Sequence, residues 1–189
     1  MNTLRFIIIS TLLAFCLNAC TSTAYPRRDP TGEVFPSITV TPLDGGTKAF
    51  PEIYEGEPVL VLVGYQQRSQ FDIDRWLIGI TQVDLPVKFV ELPTIAGMVP
   101  SLIGDFIDSG MRSGIPSELW GGVMTVYDDA ELVQKFTGTE NGLPARVLLL
   151  DGQSRVTYFH DRGFSPIELK KVQSLLEKRA TKAEPTQSQ

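Results

Sequence analysis

Short apolar runs alternate with segments of helical period along this chain, in an order that predicts an α/β domain. Ile38 to Val40 and Lys48 to Phe50 flank Asp44-Gly45-Gly46 and predict an opening hairpin, because the glycines let the backbone reverse between two short strands. Val59 to Gly64 (VLVLVG) is apolar at every side-chain position, as a central strand covered on both faces must be. Ile73, Trp76, Leu77 and Ile80 then recur at i, i+3, i+4 and i+7, one face of a helix that ends before Pro86. Val87 to Leu92 (VKFVEL) alternates as a second strand. A further helix is expected to carry Val99, Leu102, Ile103, Phe106 and Ile107 on one apolar stripe.

Gly122 to Tyr127 (GVMTVY) predicts a third strand, followed by a short helix with Leu132, Val133 and Phe136 inward and Asp128 with Glu131 as its capping box. Arg146 to Leu150 and Arg155 to Phe159 flank Asp151-Gly152-Gln153-Ser154, a hairpin signal. Ser165-Pro166-Ile167-Glu168 opens a last helix, with an N-cap, a proline in the first turn and a capping glutamate, whose core face is Leu169, Val172, Leu175 and Leu176. The expected fold over residues 34–179 is therefore a central mixed β-sheet flanked by helices, with an N-terminal β-hairpin.

The N-terminus is of a different kind. Met1 to Phe6 holds one cation, Arg5, and Phe6 to Leu17 is almost wholly apolar but short for a bilayer span, which takes ~20 residues. Leu17-Asn18-Ala19-Cys20 resembles the lipobox of bacterial lipoproteins. That resemblance implies removal of residues 1–19, a diacylglyceryl thioether on Cys20, and the membrane as one partner. Thr21 and Ser22 follow without the aspartate that favours inner-membrane retention, which points toward the outer membrane. Residues 20–33, polar and broken by Pro26 and Pro30, read as a flexible tether, and residues 180–189 as a disordered tail.

Charge and cysteine content narrow the chemistry. The chain has 22 acids against 17 Lys and Arg, a net charge of −5, and loss of Arg5 makes the mature form one unit more negative. No basic face is set apart for nucleic acid. The two cysteines are Cys16, within the signal, and Cys20. The mature domain thus has no free thiol and no disulfide, and no metal site or cofactor is expected. His160-Asp161, the one pair suggesting a proton relay, reads as a hairpin-end surface histidine. Ser69 after Arg68 is an N-cap serine rather than an anion site. Trp120 is either an exposed contact residue or part of the core.

Three segments, FPSITVTPLDGG, GEPVLVLVGY and GLPARVLLLDGQSRV, resemble the thioredoxin superfamily in its longer, peroxiredoxin-like form, over about Phe35 to Lys178. In the redox members two cysteines stand where the first central strand meets its helix, facing a cis-proline. Here that junction reads Gly64-Tyr65-Gln66-Gln67-Arg68-Ser69-Gln70-Phe71, without cysteine. The resemblance implies a cis Leu143-Pro144 bond facing Gln66 to Ser69. It also implies a partner-binding groove of Tyr65, Gln66, Gln67, Arg68, Leu143 and Pro144, in which the backbone of Leu143 is free to pair with a bound chain. From about Lys88 to Leu176 the order also resembles the mitochondrial assembly factors of the ATP synthase membrane subunit. The expected function is non-catalytic binding or assembly of an envelope protein. The alternative is a small-ligand, peptide or enzymatic role in the same groove, marked by a deep pocket at Tyr65, Gln66 and Arg68.

Overall fold

The structure is a computed structural model that describes residues 24–97 and 101–183. The expected signal peptide, Cys20, Val99, the tail beyond Ala183 and the side chains of Leu102 and Ile103 lie outside what is described. Strands β1 (Ile38–Pro42), β2 (Lys48–Phe50), β3 (Val59–Gly64) and β4 (Lys88–Pro93) follow in the order the sequence predicts, the first two as a hairpin and the last two with α1 (Gln70–Gln82) between them. Helix α2 (Ser101–Gly114), β5 (Met124–Thr125), α3 (Ala130–Thr137), the β6–β7 hairpin (Arg146–Leu150, Val156–His160) and α4 (Pro166–Ala183) complete the order.

Four strands run β4-β3-β6-β7, with β3 parallel to β4 and antiparallel to β6. The opening hairpin joins β5 in the order β2-β1-β5. Two parallel bridges, Glu91 with Val123 and Thr94 with Val126, carry the pairing from β4 across to the β5 segment. β5 is only two residues long, so most of the expected third strand meets its neighbours through single bridges.

The period-two alternation of VLVLVG divides the core. Val59, Val61 and Val63 pack with Phe35, Phe50, Leu92, Val126 and Val133 on one face. Leu60 and Leu62 pack with Ile73, Trp76, Val147, Leu149 and Val172 on the other, beneath α1 and α4. Each fully buried side chain of this size contributes about 1.5–3 kcal/mol.

Three expectations are corrected. Phe106, placed on the inner stripe of α2, is 78% exposed. The helix instead turns Gly104 and Asp108 inward, where the Tyr127 hydroxyl donates to Asp108 Oδ1 at 2.7 Å and to Gly104 O at 3.2 Å. Helix α4 continues to Ala183, past the point where the tail was expected to begin. The described part of the expected tether is not free. Gly32 N–H donates to Val156 O and Val156 N–H to Glu33 O, both at 2.8 Å, and Phe35 N–H donates to Ser154 O. These bonds satisfy polar groups along the start of β7, the sheet's edge strand, so residues 24–33 form a strap lying on the domain.

Candidate functional site

The candidate site forms where β3 ends and α1 begins. After Gly64 the chain makes one tight turn, Gln67–Ser69, before entering α1. Ser69 fixes the turn through a reciprocal capping box: Gln66 N–H donates to Ser69 Oγ at 3.3 Å, and the Gln66 side chain takes the Ser69 backbone. Ser69 is completely buried, while Gln66, Gln67 and Arg68 are exposed around it. Ser69 stands at the start of α1 as expected, but its side chain makes no cap bond to that helix; it closes the turn before it and makes a second bond that the sequence did not reveal. Ser69 Oγ donates to Leu143 O at 2.9 Å, across the gap to the loop before β6.

That loop does approach the helix start as expected; a Cβ on Gly142 would sit 3.3 Å from Gln66 Nε2. Its proline, however, is trans. The one cis bond among the described residues is Phe50-Pro51. With the Leu143-Pro144 bond trans, successive carbonyls take different partners, Leu143 O binding Ser69 and Pro144 O binding Arg146 Nη1 at 2.5 Å. Leu143 N–H donates to Asn141 Oδ1 at 3.1 Å. Both backbone groups of residue 143 are thus engaged within the domain, which corrects the expectation that they would pair with a bound chain. What the loop offers outward is the Leu143 side chain, 38% exposed.

Arg146, the first residue of β6, holds the loop together. Its side chain is 3% exposed and faces carbonyls rather than a carboxylate. The Nη2 group donates to Gly138 O at 2.9 Å and Asn141 O at 2.7 Å, Nε to Gly138 O at 3.3 Å, and Nη1 to Pro144 O. Its guanidinium lies 5.6 Å from the Tyr65 ring centre, a cation–π distance. Burial lowers its pKa, opposed by the Tyr65 hydroxyl and by Asp161.

Tyr65 packs against the core beside Arg146 rather than opening onto the surface. Its hydroxyl hydrogen-bonds Thr137 Oγ1 and donates to Val133 O at 3.4 Å. Burial raises its pKa, and Thr137 and Arg146 oppose the shift. Of the expected groove residues, then, Gln66, Gln67, Arg68 and Leu143 form an exposed rim, and Tyr65 and Pro144 serve as its supports. Phe71, two residues beyond Ser69 and 68% exposed, extends the apolar part of that rim.

Glu91 escaped the sequence reading, since alternation in a strand usually turns a glutamate outward. Here it is 7% exposed, on the sheet face covered by the start of α1. Burial raises its pKa to about 7; a hydrogen bond from Gln70 opposes the shift and the charge of Asp74 adds to it.

The other candidates resolve into structural roles. His160 Nε2 pairs with Gly163 O at 2.8 Å, and Asp161 is taken by Arg27 in a bidentate pair, so the two do not form a relay. Trp120 is half-buried, donating to Ile115 O at 2.9 Å, with Arg112 5.9 Å from its ring centre. Two open concavities, of about 510 and 450 Å³, lie away from the rim. Arg27, His160 and Asp161 line the first, and Tyr158, Ile167 and Lys171 the second.

Comparison with known proteins shows the fold. No family model and no curated protein matches the chain. Among solved structures, it is similar to a thiol peroxidase from Chromobacterium violaceum, at 12% identity, 85% of this chain, 93% of that one and a TM-score of 0.56. A SCO1/SenC family lipoprotein from Bacillus anthracis str. Ames matches at 14% identity, 82% and 99% coverage, TM-score 0.54. The pneumococcal exposed lipoprotein thioredoxin Etrx1 from Streptococcus pneumoniae strain TIGR4 matches at 8% identity, 74% and 99% coverage, TM-score 0.52. The chain has a thioredoxin-like fold.

Proposed function

We propose that this protein is a lipid-anchored, redox-inactive thioredoxin-like protein of the bacterial envelope, which binds or helps assemble a protein partner through the rim of its former active-site groove. The bond from Ser69 Oγ to Leu143 O carries the reading. At the junction where redox members of the superfamily keep a reactive sulfur, this chain keeps a buried hydroxyl already committed to the facing loop. The lock engages that hydroxyl, and it braces the backbone from which Gln66, Gln67, Arg68 and Leu143 project. Preorganised surfaces of that kind lose little entropy on binding. The lipobox at Cys20 supplies the anchor, with the outer membrane favoured by Thr21 and Ser22.

Two measurements test the reading. Insulin reduction and peroxide consumption by the purified mature protein should match buffer; turnover by metal-free protein overturns the redox-inactive part. Cys20→Ser should leave an unprocessed precursor or a released domain on fractionation. A mature Cys20→Ser protein that resists carbonate extraction overturns the anchor.

A further inference from the structure

The strap changes what an anchor at Cys20 would do to the domain. Thr139 N–H donates to Tyr25 O at 3.0 Å and Tyr25 N–H donates to Thr139 Oγ1 at 3.1 Å, so the chain is fixed on the domain from Tyr25 onward. Pro26 crosses directly above Gly138, where a Cβ would meet Pro26 O at 2.6 Å. Five Cα–Cα steps from Cys20 to Tyr25 span at most about 18 Å. An anchored domain therefore rides close to the lipid, with the strap's first residues facing it.

Gly138 also belongs to the groove loop. The planar guanidinium of Arg146 binds Gly138 O at 2.9 Å and Pro144 O at 2.5 Å, which puts these carbonyls within about 8 Å of one another. The rim at Leu143 is consequently a short step from the point where the chain leaves for the membrane.

We infer that the Leu143 rim is held at the bilayer surface and takes a membrane-embedded protein, at the segment adjoining its membrane span. The inference rests on the anchored, partner-binding reading above. Charge favours a protein over lipid headgroups, which are drawn to unpaired basic clusters. In the strap Arg27 is paired with Asp161 and Arg28 with Glu33. Asp29 and Glu140 add negative potential at Arg27, and Glu131 takes the Tyr25 hydroxyl.

The test places a photoreactive amino acid at Leu143 in the full-length protein in native envelopes. A parallel protein carries it at Lys48, on β2 at the far edge of the sheet. A third keeps the Leu143 probe but gains a flexible Gly/Ser spacer of about 20 residues after Ser22. Leu143 should crosslink to a polypeptide that resists carbonate extraction, at about fivefold or more the yield from Lys48, and the spacer should reduce that yield severalfold. Adducts only with soluble polypeptides, adducts only with lipid, or a yield indifferent to the spacer would overturn the inference alone. Mass spectrometry of Cys20 separates the two levels, since an unmodified sulfur overturns the anchor and the inference together.

Discussion

Arg146 and Pro144, two residues apart in sequence, are tied by a bond from Nη1 to the proline carbonyl at 2.5 Å, and that bond is one of four from a single buried guanidinium. Gly138, Asn141 and Pro144 all turn their carbonyls toward this cation. The loop facing Ser69 thus owes its shape to a side chain beneath it.

Arg146→Lys should show how much that shape matters. A lysine keeps the charge but is a point donor without the planar fork, so it cannot reach three carbonyls at once. Each buried acceptor left unpaired costs about 1–3 kcal/mol. The variant should lose about 2 kcal/mol or more in chemical denaturation, and hydrogen exchange at Leu143 should quicken. Equal stability with unchanged exchange would show that the loop holds itself.

Gly138→Ala tests the strap. Gly138 has a φ of +71°, and the added Cβ would fall 2.6 Å from the Pro26 carbonyl. An L side chain is strained there whatever the space, and the strap must lift to admit it. The expected outcome is proteolytic cleavage between Tyr25 and Glu33 in the variant, with that segment protected in the wild type. A strap protected in both would contradict the docking of residues 24–33.

Glu91 gives a pH dependence of definite sign. Its carboxyl rises from the ordinary 4.5 to about 7 in the folded protein, so the folded state binds the proton more tightly. Stability from this group is complete below about pH 4.5, falls as pH climbs toward 7, and stays low above it. At 1.36 kcal/mol per pKa unit the whole loss is about 3 kcal/mol. Glu91→Gln should be more stable than the wild type at pH 8 by up to about that amount and nearly equal to it at pH 4. Parallel stability curves for the two proteins would show that Glu91 is not desolvated.

Much of this architecture was legible in the sequence. VLVLVG announced a two-faced central strand, and Ile73, Trp76 and Ile80 announced the helix that covers one face. That no cysteine follows Cys20 was legible as well. The errors share one cause, since periodicity reports which side chains are buried but not where backbone polar groups find partners. Pro26 and Pro30 suggested a free linker, yet edge carbonyls and amides of β7 claimed the strap. Arg146 entered the sequence reading only as the start of a strand, and only the folded loop supplies the carbonyls that bury it. Phe106 looked like core because of its spacing, but Asp108, held by Tyr127 and Thr125, set the rotation of α2.

The central claim is that the thiol-free rim is a protein-binding surface, and formaldehyde crosslinking in native envelopes followed by quantitative capture tests it most directly. Leu143→Asp places a charge at the centre of the rim, where burying it unpaired against a partner is costly. Lys48→Gln, on the opposite sheet edge, serves as the control. The wild type and Lys48→Gln should enrich the same polypeptide, and Leu143→Asp should lose it by about tenfold or more while melting at the same temperature. Equal enrichment by all three proteins would contradict the account.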